Sequence, residues 1–468
     1  MILMDYVVVA AIIGVTVAWW LRNEALGIAL STILTIAGIY AVVDHRWQAA
    51  LGALLGIIVL AVLLLRVRNK PAKTSIPKIS GTFTTLLGAL GIFLIVQFPI
   101  NDLPAPTGQH PVGVMDFHVT DESRPDLLGV EGPRILPVRV WYPAETTAGF
   151  ERRPYFTEAE ARTTATGMGS HFGMPFLFQY MKHAMTNAYM EAPLIAEAAN
   201  LPVVIYSHGY TSFMGQNAAL MEELASHGYL VFSISHTGDA SPVVLNDGTQ
   251  LSADPALLAS MQVLAEQGFS QAMLDSFTGE TYAIRLSGTK TNIRESIDNN
   301  HRIIALSLNV WLDDRIFVHD ALASGDVPDA VKSIVTAGNY DATGQIGMSF
   351  GGATTGSVCQ VDERCAAGVN LDGGNFDSAL IGQQQPRPFL MFYSDYVEVV
   401  EQVGGNPENA FAFNDFSYER HELAGFSQDV IRLKVNNVTH LGVSDFPYFA
   451  RNPIKAPLYG DIPGEEIL

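Results

Sequence analysis

Four long apolar runs fill most of the first hundred residues of this 468-residue chain and limit how it can fold. The runs lie at Tyr6–Leu21, Ala25–Val43, Ala49–Leu65 and Phe83–Ile100. Each is close to the ~17–20 apolar residues that a helix needs to cross a bilayer. A cleavable signal peptide is the alternative for the first run, but no small-residue cleavage site ends it and three more runs follow. The sequence therefore predicts a transmembrane anchor of about four helices over residues 1–100.

Basic residues between the third and fourth runs predict how this anchor is oriented. The five cations of this link are Arg66, Arg68, Lys70, Lys73 and Lys78. Because cytoplasmic loops of membrane proteins carry an excess of Lys and Arg, we expect the link to be cytoplasmic. Counting spans then puts the N-terminus outside and delivers the large C-terminal part to the extracytoplasmic side, whether periplasmic or extracellular.

Charge is divided unevenly along the chain. The first hundred residues hold seven basic and three acidic residues, a net charge of +4. Because the whole chain has a net charge of −20, residues 101–468 carry −24. Such acidity argues against nucleic acid as a partner, because the phosphate backbone repels it. Residues 101–468 are long enough to form one soluble domain with its own core.

The only two cysteines, Cys359 and Cys365, both lie in the part predicted to be exported. An oxidising compartment favours a local disulfide between them. The alternative, two free thiols, requires the predicted orientation to be inverted.

Patterning after residue 101 predicts an α/β fold. Alternating stretches at Val112–Val119 and Leu136–Trp141 indicate an opening antiparallel pair, and from Leu201 short β-branched runs alternate with amphipathic helix-length segments. These segments are Val203–Tyr206, a helix at Ala218–His227, Tyr229–Ser235, a helix at Ile297–Ala323, Gln345–Met348, a helix at Phe350–Cys359, Ala366–Leu371 and Phe389–Tyr393. The alternation indicates a mainly parallel sheet with helices on both faces, whose ligands gather at the carboxyl ends of the strands.

One segment, Gly167–Leu194, is unusually rich in Met and aromatic residues. Such a composition is typical of a mobile apolar lid or of a lip that faces a membrane. A helix packed on the core is the alternative.

The pentapeptide Gly347-Met348-Ser349-Phe350-Gly351 is the strongest chemical signal in the chain. It follows a predicted strand and opens a helix of small residues, which is the context of a nucleophile elbow. The sharp turn leaves no room for side chains two positions on either side of the serine, and the helix N-terminus favours the negative charge that develops there. We therefore interpret Ser349 as a nucleophile.

A serine nucleophile needs donors for the oxyanion and a histidine base. Ser207-His208-Gly209-Tyr210 ends a predicted strand, and we assign the oxyanion hole to the backbone N–H groups of Tyr210 and Phe350. A tight turn with no such role is the alternative. For the base, the chain order Ser, Asp, His leaves His421 and His440. His440 follows the β-like run Val430–Val435, whereas His421 is surrounded by charged residues, so His440 is the better candidate.

Two acids compete to orient that histidine. Asp372 ends the strand Ala366–Leu371, and Asp395 follows the next strand, Phe389–Tyr393. Spacing and composition do not choose between them.

Several of these segments resemble the plasma-type (secreted) platelet-activating factor acetylhydrolases and their bacterial relatives, within the α/β-hydrolase superfamily. The resemblance is carried by Val138–Pro143, Pro202–Gly209, Leu224–Tyr229, Gly347–Thr354 and Leu371-Asp372. It covers roughly residues 113–446 and leaves the apolar part unmatched.

The resemblance implies the α/β-hydrolase fold and a calcium-independent serine esterase acting on phospholipids with short or oxidised acyl chains. It also selects Asp372 as the acid beside Ser349 and His440, because the family's acid follows the strand after the nucleophile helix. Met348 departs from the histidine that the family often has there.

The sequence therefore predicts a serine carboxylic-ester hydrolase with no cofactor, since it shows no zinc, calcium or phosphate-loop spacing. Acyl transfer to an acceptor other than water is a second enzymatic hypothesis. A catalytically silent membrane receptor or scaffold of the same fold is a third.

Overall fold

The computed structural model describes residues 2–69, 78–129, 132–196, 198–257, 259–260, 270–374, 377, 385–402 and 429–461. The chain forms two compact units. The first, which we call the helical unit, consists of Met1–Asp102, Pro154–Ala184 and Tyr448–Ala456. The second, the sheet unit, consists of Leu103–Arg153, Met185–Pro447 and Pro457–Leu468. The helical unit thus combines the first 102 residues with two segments from later in the chain.

Four helices long and apolar enough to cross a membrane form most of the helical unit. They are span 1 (Leu3–Trp20), span 2 (Glu24–Val43), span 3 (Ala50–Asn69) and span 4 (Lys78–Gln97). The prediction of four apolar N-terminal helices is confirmed. Close packing in the bundle depends on small residues, as is usual between helices in lipid. At Gly38, for example, an added Cβ would lie 2.8 Å from the backbone of Ala53.

A buried ion pair joins the helix ends on the side of the bundle that holds the N-terminus. The Nε atom of Arg46, in the turn between spans 2 and 3, lies 2.8 Å from Asp5 Oδ1, and both side chains are buried. Arg46 also donates to the carbonyl of Phe98, just after span 4. Because an unpaired charge is costly near hydrocarbon, the pair neutralises two charges that the bundle must bury. We call this side the Arg46 end.

The sheet unit is built on a ten-stranded sheet with the order β12-β11-β10-β9-β5-β6-β2-β1-β4-β3. These strands are β1 (Val112–Pro125), β2 (Pro133–Pro143), β3 (Arg152–Pro154), β4 (Met185–Met190), β5 (Leu201–Ser207), β6 (Leu230–Ile234), β9 (Gly338–Met348), β10 (Cys365–Leu371), β11 (Phe389–Tyr393) and β12 (Val430–Lys434). A separate two-stranded pair is formed by β7 (Val243–Val244) and β8 (Gln250–Leu251).

The six strands from β12 to β6 run parallel, and β2 pairs antiparallel with both β6 and β1. The remaining α-helices are Glu158–Arg162, Thr164–His171, Ala218–Ser226, Gln271–Thr278, Tyr282–Asp298, Leu308–Ser324, Asp329–Val335, Phe350–Val361, Val397–Gln402 and Lys455–Tyr459. Short 3₁₀ turns lie at Trp47–Ala49, Gln179–His183, His440–Val443 and Phe446–Phe449, and a π turn at Ile303–Ser307. The predicted α/β-hydrolase architecture is confirmed.

One part of the secondary-structure prediction was wrong. The predicted helix Ile297–Ala323 is broken, because Tyr282–Asp298 ends where Asn300 takes the left-handed conformation (φ 55°) that asparagine tolerates at helix ends. The segment Gly167–Leu194, for which the sequence left a lid and a core-packed helix open, contains strand β4, which pairs parallel with β1. Its earlier part, up to Ala184, belongs to the helical unit.

The main core of the sheet unit lies on the face of the sheet covered by Leu308–Ser324 and Asp329–Val335. Val138, Ile205 and Phe232 from three neighbouring strands are fully buried there against Val318 and Leu322. Burial on both faces explains why the parallel strands read as continuous apolar runs.

Cys359 and Cys365 form a disulfide, which is one of the two alternatives that the sequence left open. The bond joins the helix Phe350–Val361 to the start of β10, which is the strand that follows this helix in the chain.

Candidate active site

Ser349 lies on a strained turn between β9 and the helix Phe350–Val361. Its φ of 55° falls in the left-handed region, which non-glycine residues seldom occupy outside functional sites. A Cβ added at Gly347 would collide with the backbone of Gly351, and one at Gly351 would collide with the carbonyl of Ser207. The turn therefore requires glycine at both positions, which explains the pentapeptide seen in the sequence.

His440 stands between Ser349 and Asp372. Its Nε2 lies 2.9 Å from Ser349 Oγ, and its Nδ1 lies 2.6 Å from Asp372 Oδ2. The parallel sheet accounts for this meeting, because Ser349 follows β9, Asp372 follows the adjacent β10 and His440 follows β12. The carboxylate is fully buried while the imidazole is partly exposed, so the histidine faces solvent and the acid lies behind it.

Two residues that the sequence reasoning missed hold the Asp372 carboxylate. Ser394 donates to it from both its hydroxyl (2.6 Å) and its backbone N–H (2.8 Å), and Tyr396 donates its hydroxyl at 3.3 Å. Burial raises the pKa of Asp372, but the hydrogen bonds from His440 and Ser394 outweigh it, so this pKa lies below its ordinary value. The carboxylate is therefore ionised at neutral pH. Both donors directly follow β11, where a search for polar side chains at strand ends would have found them.

The competing acid, Asp395, has other partners. It accepts the backbone N–H of Val397, at the start of a short helix, and that of Asn437, and it lies 3.2 Å from Lys434. The competing histidine, His421, lies outside the described residues.

The turn after β5 approaches Ser349 closely. A Cβ added at Gly209 would lie 3.2 Å from the Cβ of Ser349. The N–H of Gly209 donates to Gln216 Oε1 at 2.7 Å, and the Gln216 amide donates in turn to Met348 Sδ at 3.1 Å. Gln216 thus ties this turn to the residue before Ser349. No feature of the sequence pointed to it.

The backbone amides of Tyr210 and Phe350 donate no hydrogen bond within the described part of the chain. Their side chains pack edge to face with ring centroids 5.2 Å apart, and both contact the buried Trp311. The Tyr210 hydroxyl donates to Asp239 at 3.2 Å. Two free amides held by packed side chains beside a serine are the donors that an oxyanion requires.

Comparison with known proteins identifies relatives of the chain. A family model described as platelet-activating factor acetylhydrolase, isoform II, matches residues 95–254, which include the turn after β5 and end before Ser349. Platelet-activating factor acetylhydrolase from Canis lupus familiaris is 21% identical over 313 residues, which are 64% of this chain and 62% of that protein. The Cavia porcellus protein of the same name is 24% identical, over 65% of this chain and 63% of its own length.

This chain is similar to the platelet-activating factor acetylhydrolases. The resemblance predicted from the motifs is confirmed, although the matched part spans less than two thirds of the curated relatives' own length. Among solved structures, a ferulic acid esterase from Streptomyces cinnamoneus is 21% identical with a TM-score of 0.49, covering 79% of this chain and 89% of that chain.

A buried arginine connects the elements that carry the candidate site. Arg315 Nη2 donates to the carbonyl of Ile205 in β5 (2.8 Å), and Nη1 donates to the carbonyl of Ile346 in β9 (3.2 Å) and to Thr355 Oγ1 (2.8 Å) in the helix after Ser349. Burial lowers the pKa of Arg315 to about 9, and the guanidinium still carries its charge at neutral pH. It therefore fixes β5 relative to the strand and the helix that flank Ser349.

A second Ser–His–Asp arrangement lies fully buried beside the turn after β5. His236 Nε2 lies 2.9 Å from Ser207 Oγ, and His236 Nδ1 lies 2.9 Å from Asp314, which also pairs with Arg134 at 2.6 Å. All four side chains are at most 1% exposed, so substrate cannot reach this serine. Beside them, burial lowers the pKa of His208 to about 3, which keeps that imidazole neutral and excludes it as a base at neutral pH. The arrangement supports the turn from behind.

This buried network leads to a prediction about stability. Replacing Asp314 by asparagine removes the carboxylate that pairs with both Arg134 and His236, although Asp126 still lies 2.8 Å from Arg134, and we expect a loss of about 1.5–3 kcal/mol in the free energy of unfolding. Burial raises the pKa of Asp314, but Arg134 and His236 outweigh it and hold the pKa well below its ordinary value. A carboxyl whose pKa is lowered by folding stabilises the fold above pH ~4, and that stabilisation is lost as the pH falls further.

The difference in thermal midpoint between wild type and Asp314→Asn should therefore be large at pH 7 and narrow below pH ~4. The neighbouring Asp313 is a matched control, since its side chain is 60% exposed and 3.8 Å from Arg124. We expect Asp313→Asn to cost at most about 1 kcal/mol. Equal midpoints for the two variants at pH 7 would contradict the role given to the network.

The described residues contain no group of three or more His, Cys, Asp or Glu side chains that could hold a metal ion.

Proposed function

We propose that this chain is a membrane-anchored serine carboxylic-ester hydrolase with Ser349 as nucleophile, His440 as base and Asp372 as acid. The proposal depends above all on the hydrogen-bonded series Ser349 Oγ, His440 and Asp372, at 2.9 and 2.6 Å. The relationship to platelet-activating factor acetylhydrolases supports the same activity. Serine, histidine and aspartate in this order form the geometry by which such triads are recognised.

In the first half of the reaction, His440 Nε2 takes the proton of Ser349 while Oγ attacks the ester carbonyl carbon. The negative charge that develops on the carbonyl oxygen is stabilised by the free amides of Tyr210 and Phe350. The tetrahedral intermediate collapses, the bond to the alcohol breaks, and His440 returns its proton to the leaving oxygen. An acyl-serine remains.

In the second half, His440 takes a proton from a water molecule as its oxygen attacks the acyl carbon. The bond between this carbon and Ser349 Oγ then breaks, His440 returns the proton to Oγ, and the carboxylic acid leaves. Asp372 stabilises the imidazolium in both halves and holds the imidazole with Nε2 toward Ser349. Ser394 and Tyr396 keep the carboxylate in place because they occupy its remaining acceptor positions.

We propose phospholipid or other lipid esters with short acyl chains as the substrates. The names of the relatives support this class of substrates. The relatives include platelet-activating factor acetylhydrolase and a putative phospholipase A2 from Schizosaccharomyces pombe. Hydrolysis rates over p-nitrophenyl esters of increasing length and over truncated phospholipids define the preference.

We further propose that the sheet unit lies on the extracytoplasmic side of the membrane. The basic residues after span 3 support this orientation by the positive-inside rule. The Cys359–Cys365 disulfide supports it independently, because such bonds persist in oxidising compartments.

A fluorophosphonate, which reacts covalently with activated serines, tests both proposals. We expect the detergent-solubilised wild type to be labelled at Ser349 and the Ser349→Ala variant to remain unlabelled. A membrane-impermeant version of the probe should label the wild type in intact cells before lysis. Labelling only after lysis would invert the orientation and leave the mechanism intact, whereas no labelling in detergent would contradict the mechanism and favour a silent receptor or scaffold.

A further inference from the structure

Three large apolar side chains are exposed on one turn of the helical unit, and we call Phe172, Met174 and Phe176 the lip. Their exposed fractions are 58%, 40% and 46%. The turn is tightly folded, since the amides of Phe172 and Met174 both donate to the carbonyl of Gly169, at 3.1 and 2.9 Å. Gly173 provides the left-handed residue that the turn needs (φ 69°). The side chains are thus held outward by a defined backbone.

The lip lies directly on the Arg46 end of the spans. Trp47, which precedes span 3, packs its ring against Phe176 at 5.7 Å and against Phe98 at 5.3 Å. Its indole N–H donates to the carbonyl of Leu177 at 3.1 Å. Trp47 lies just before span 3 and Phe98 directly follows span 4. The contact between Trp47 and Phe176 therefore places the lip next to the ends of these helices.

Charged side chains at this end are paired within the unit. Lys182 Nζ lies 2.7 Å from both Asp44, which follows span 2, and Glu158. Tyr6 and Tyr40, near the ends of spans 1 and 2 on this side, are exposed, as tyrosines of an interfacial aromatic belt are. The surroundings of the lip are therefore those of the boundary between headgroups and acyl chains.

An exposed apolar patch of this kind marks an interaction site, and its position beside the ends of the spans indicates that the membrane binds there. Helices that cross a bilayer place the layer just beyond their ends at the interface, where apolar side chains enter the leaflet to a depth of about 5–10 Å. We propose that the lip inserts into the acyl–headgroup boundary of the leaflet at the Arg46 end. The helical unit would then be held by a shallow surface contact in addition to its four spans.

A thiol-specific fluorescent label tests this in the full chain. The two native cysteines are bonded to each other, so a cysteine introduced at Phe172, Met174 or Phe176 is the only free thiol. Each variant is labelled with bimane and reconstituted into phosphatidylcholine nanodiscs. Some of the lipid carries a nitroxide quencher, placed either near the carbonyl end or near the methyl end of the acyl chain. Iodide in the buffer reports exposure to water.

Two matched positions calibrate the measurement. Ile33, at the middle of span 2 and 48% exposed, should be quenched most by the methyl-end nitroxide. Asp329 in the sheet unit, whose side chain is fully exposed, should be quenched by iodide alone. For the lip we expect loss of most of the fluorescence with the carbonyl-end nitroxide, a smaller loss with the methyl-end nitroxide, and weak quenching by iodide.

Three outcomes would overturn the proposal. Lip labels that behave like Asp329 would place the lip in water. Lip labels shielded from both nitroxides and iodide would mean that protein, either a second copy or another part of the chain, covers them. Absence of nitroxide quenching at Ile33 would refute the membrane anchor itself, and would be recognised apart from a failure of the lip alone.

Discussion

Replacing Ser349 by alanine is expected to lower kcat for ester hydrolysis by about 10⁶, the loss seen when a triad nucleophile is removed. The substitution deletes one hydroxyl from a half-buried position and leaves the turn, its glycines and the helix behind it unchanged. The fold should therefore persist. The measurement is kcat on a soluble short-chain ester, with the thermal midpoint as a check on folding.

The chain offers its own matched control in Ser207. This serine also lies 2.9 Å from a histidine that is bonded to an aspartate, but it is fully buried. We expect Ser207→Ala to lower stability by about 1 kcal/mol through the lost hydrogen bond, and to leave kcat within about tenfold. Substantial turnover in Ser349→Ala, or inactivation by Ser207→Ala without loss of stability, would overturn the assignment of the nucleophile.

The second large effect is expected at Asp372. Changing it to asparagine preserves the shape of the side chain but presents a donor to His440 Nδ1, which favours the wrong tautomer and should lower kcat by about 10⁴. Asp395→Asn is the control, since that carboxylate bonds to backbone amides and Lys434 and not to the histidine. We expect it to change kcat by less than about tenfold.

Comparing kcat for the two variants, each corrected for its folded fraction, decides which acid serves the histidine. If Asp395→Asn were the inactive variant and Asp372→Asn nearly normal, the acid would follow β11 and not β10. The hydrogen bonds from Ser394 and Tyr396 to Asp372 would then need a purely structural explanation.

Features set by local sequence pattern were predicted well. Apolar run length predicted the four spans, and the alternation of β-branched runs with amphipathic segments predicted the parallel sheet. The glycines around Ser349 predicted the turn, because the backbone there excludes any side chain. The strand-end rule then predicted where the polar side chains near that serine would lie, but it left Asp372 and Asp395 open.

Features that depend on contacts between residues far apart in the chain could not be predicted from the local sequence pattern. Asp372 and Asp395 look alike in sequence, and what separates them in the structure is the amide of Asn437 and the imidazole of His440, each more than forty positions away. Arg315 and Gln216 lie in unremarkable surroundings in the sequence, and only the fold brings them to the elements beside Ser349. The association of residues 154–184 with the spans depends in the same way on contacts that no local pattern records.

The composition of the helical unit has a consequence for how the protein is made. Its last segment supplies Tyr448, whose carbonyl accepts from Asn101 across 347 residues, and Arg451, whose amide donates to Gln97. At a synthesis rate of about 5–20 residues per second, about 20–70 s pass between the appearance of the two halves of the Asn101 contact. The unit whose translation begins first is thus completed only after most of the sheet unit has been made. A ribosome that stops before Tyr448 releases a chain whose four helices have already been made but whose Arg46 end still lacks its closing segment.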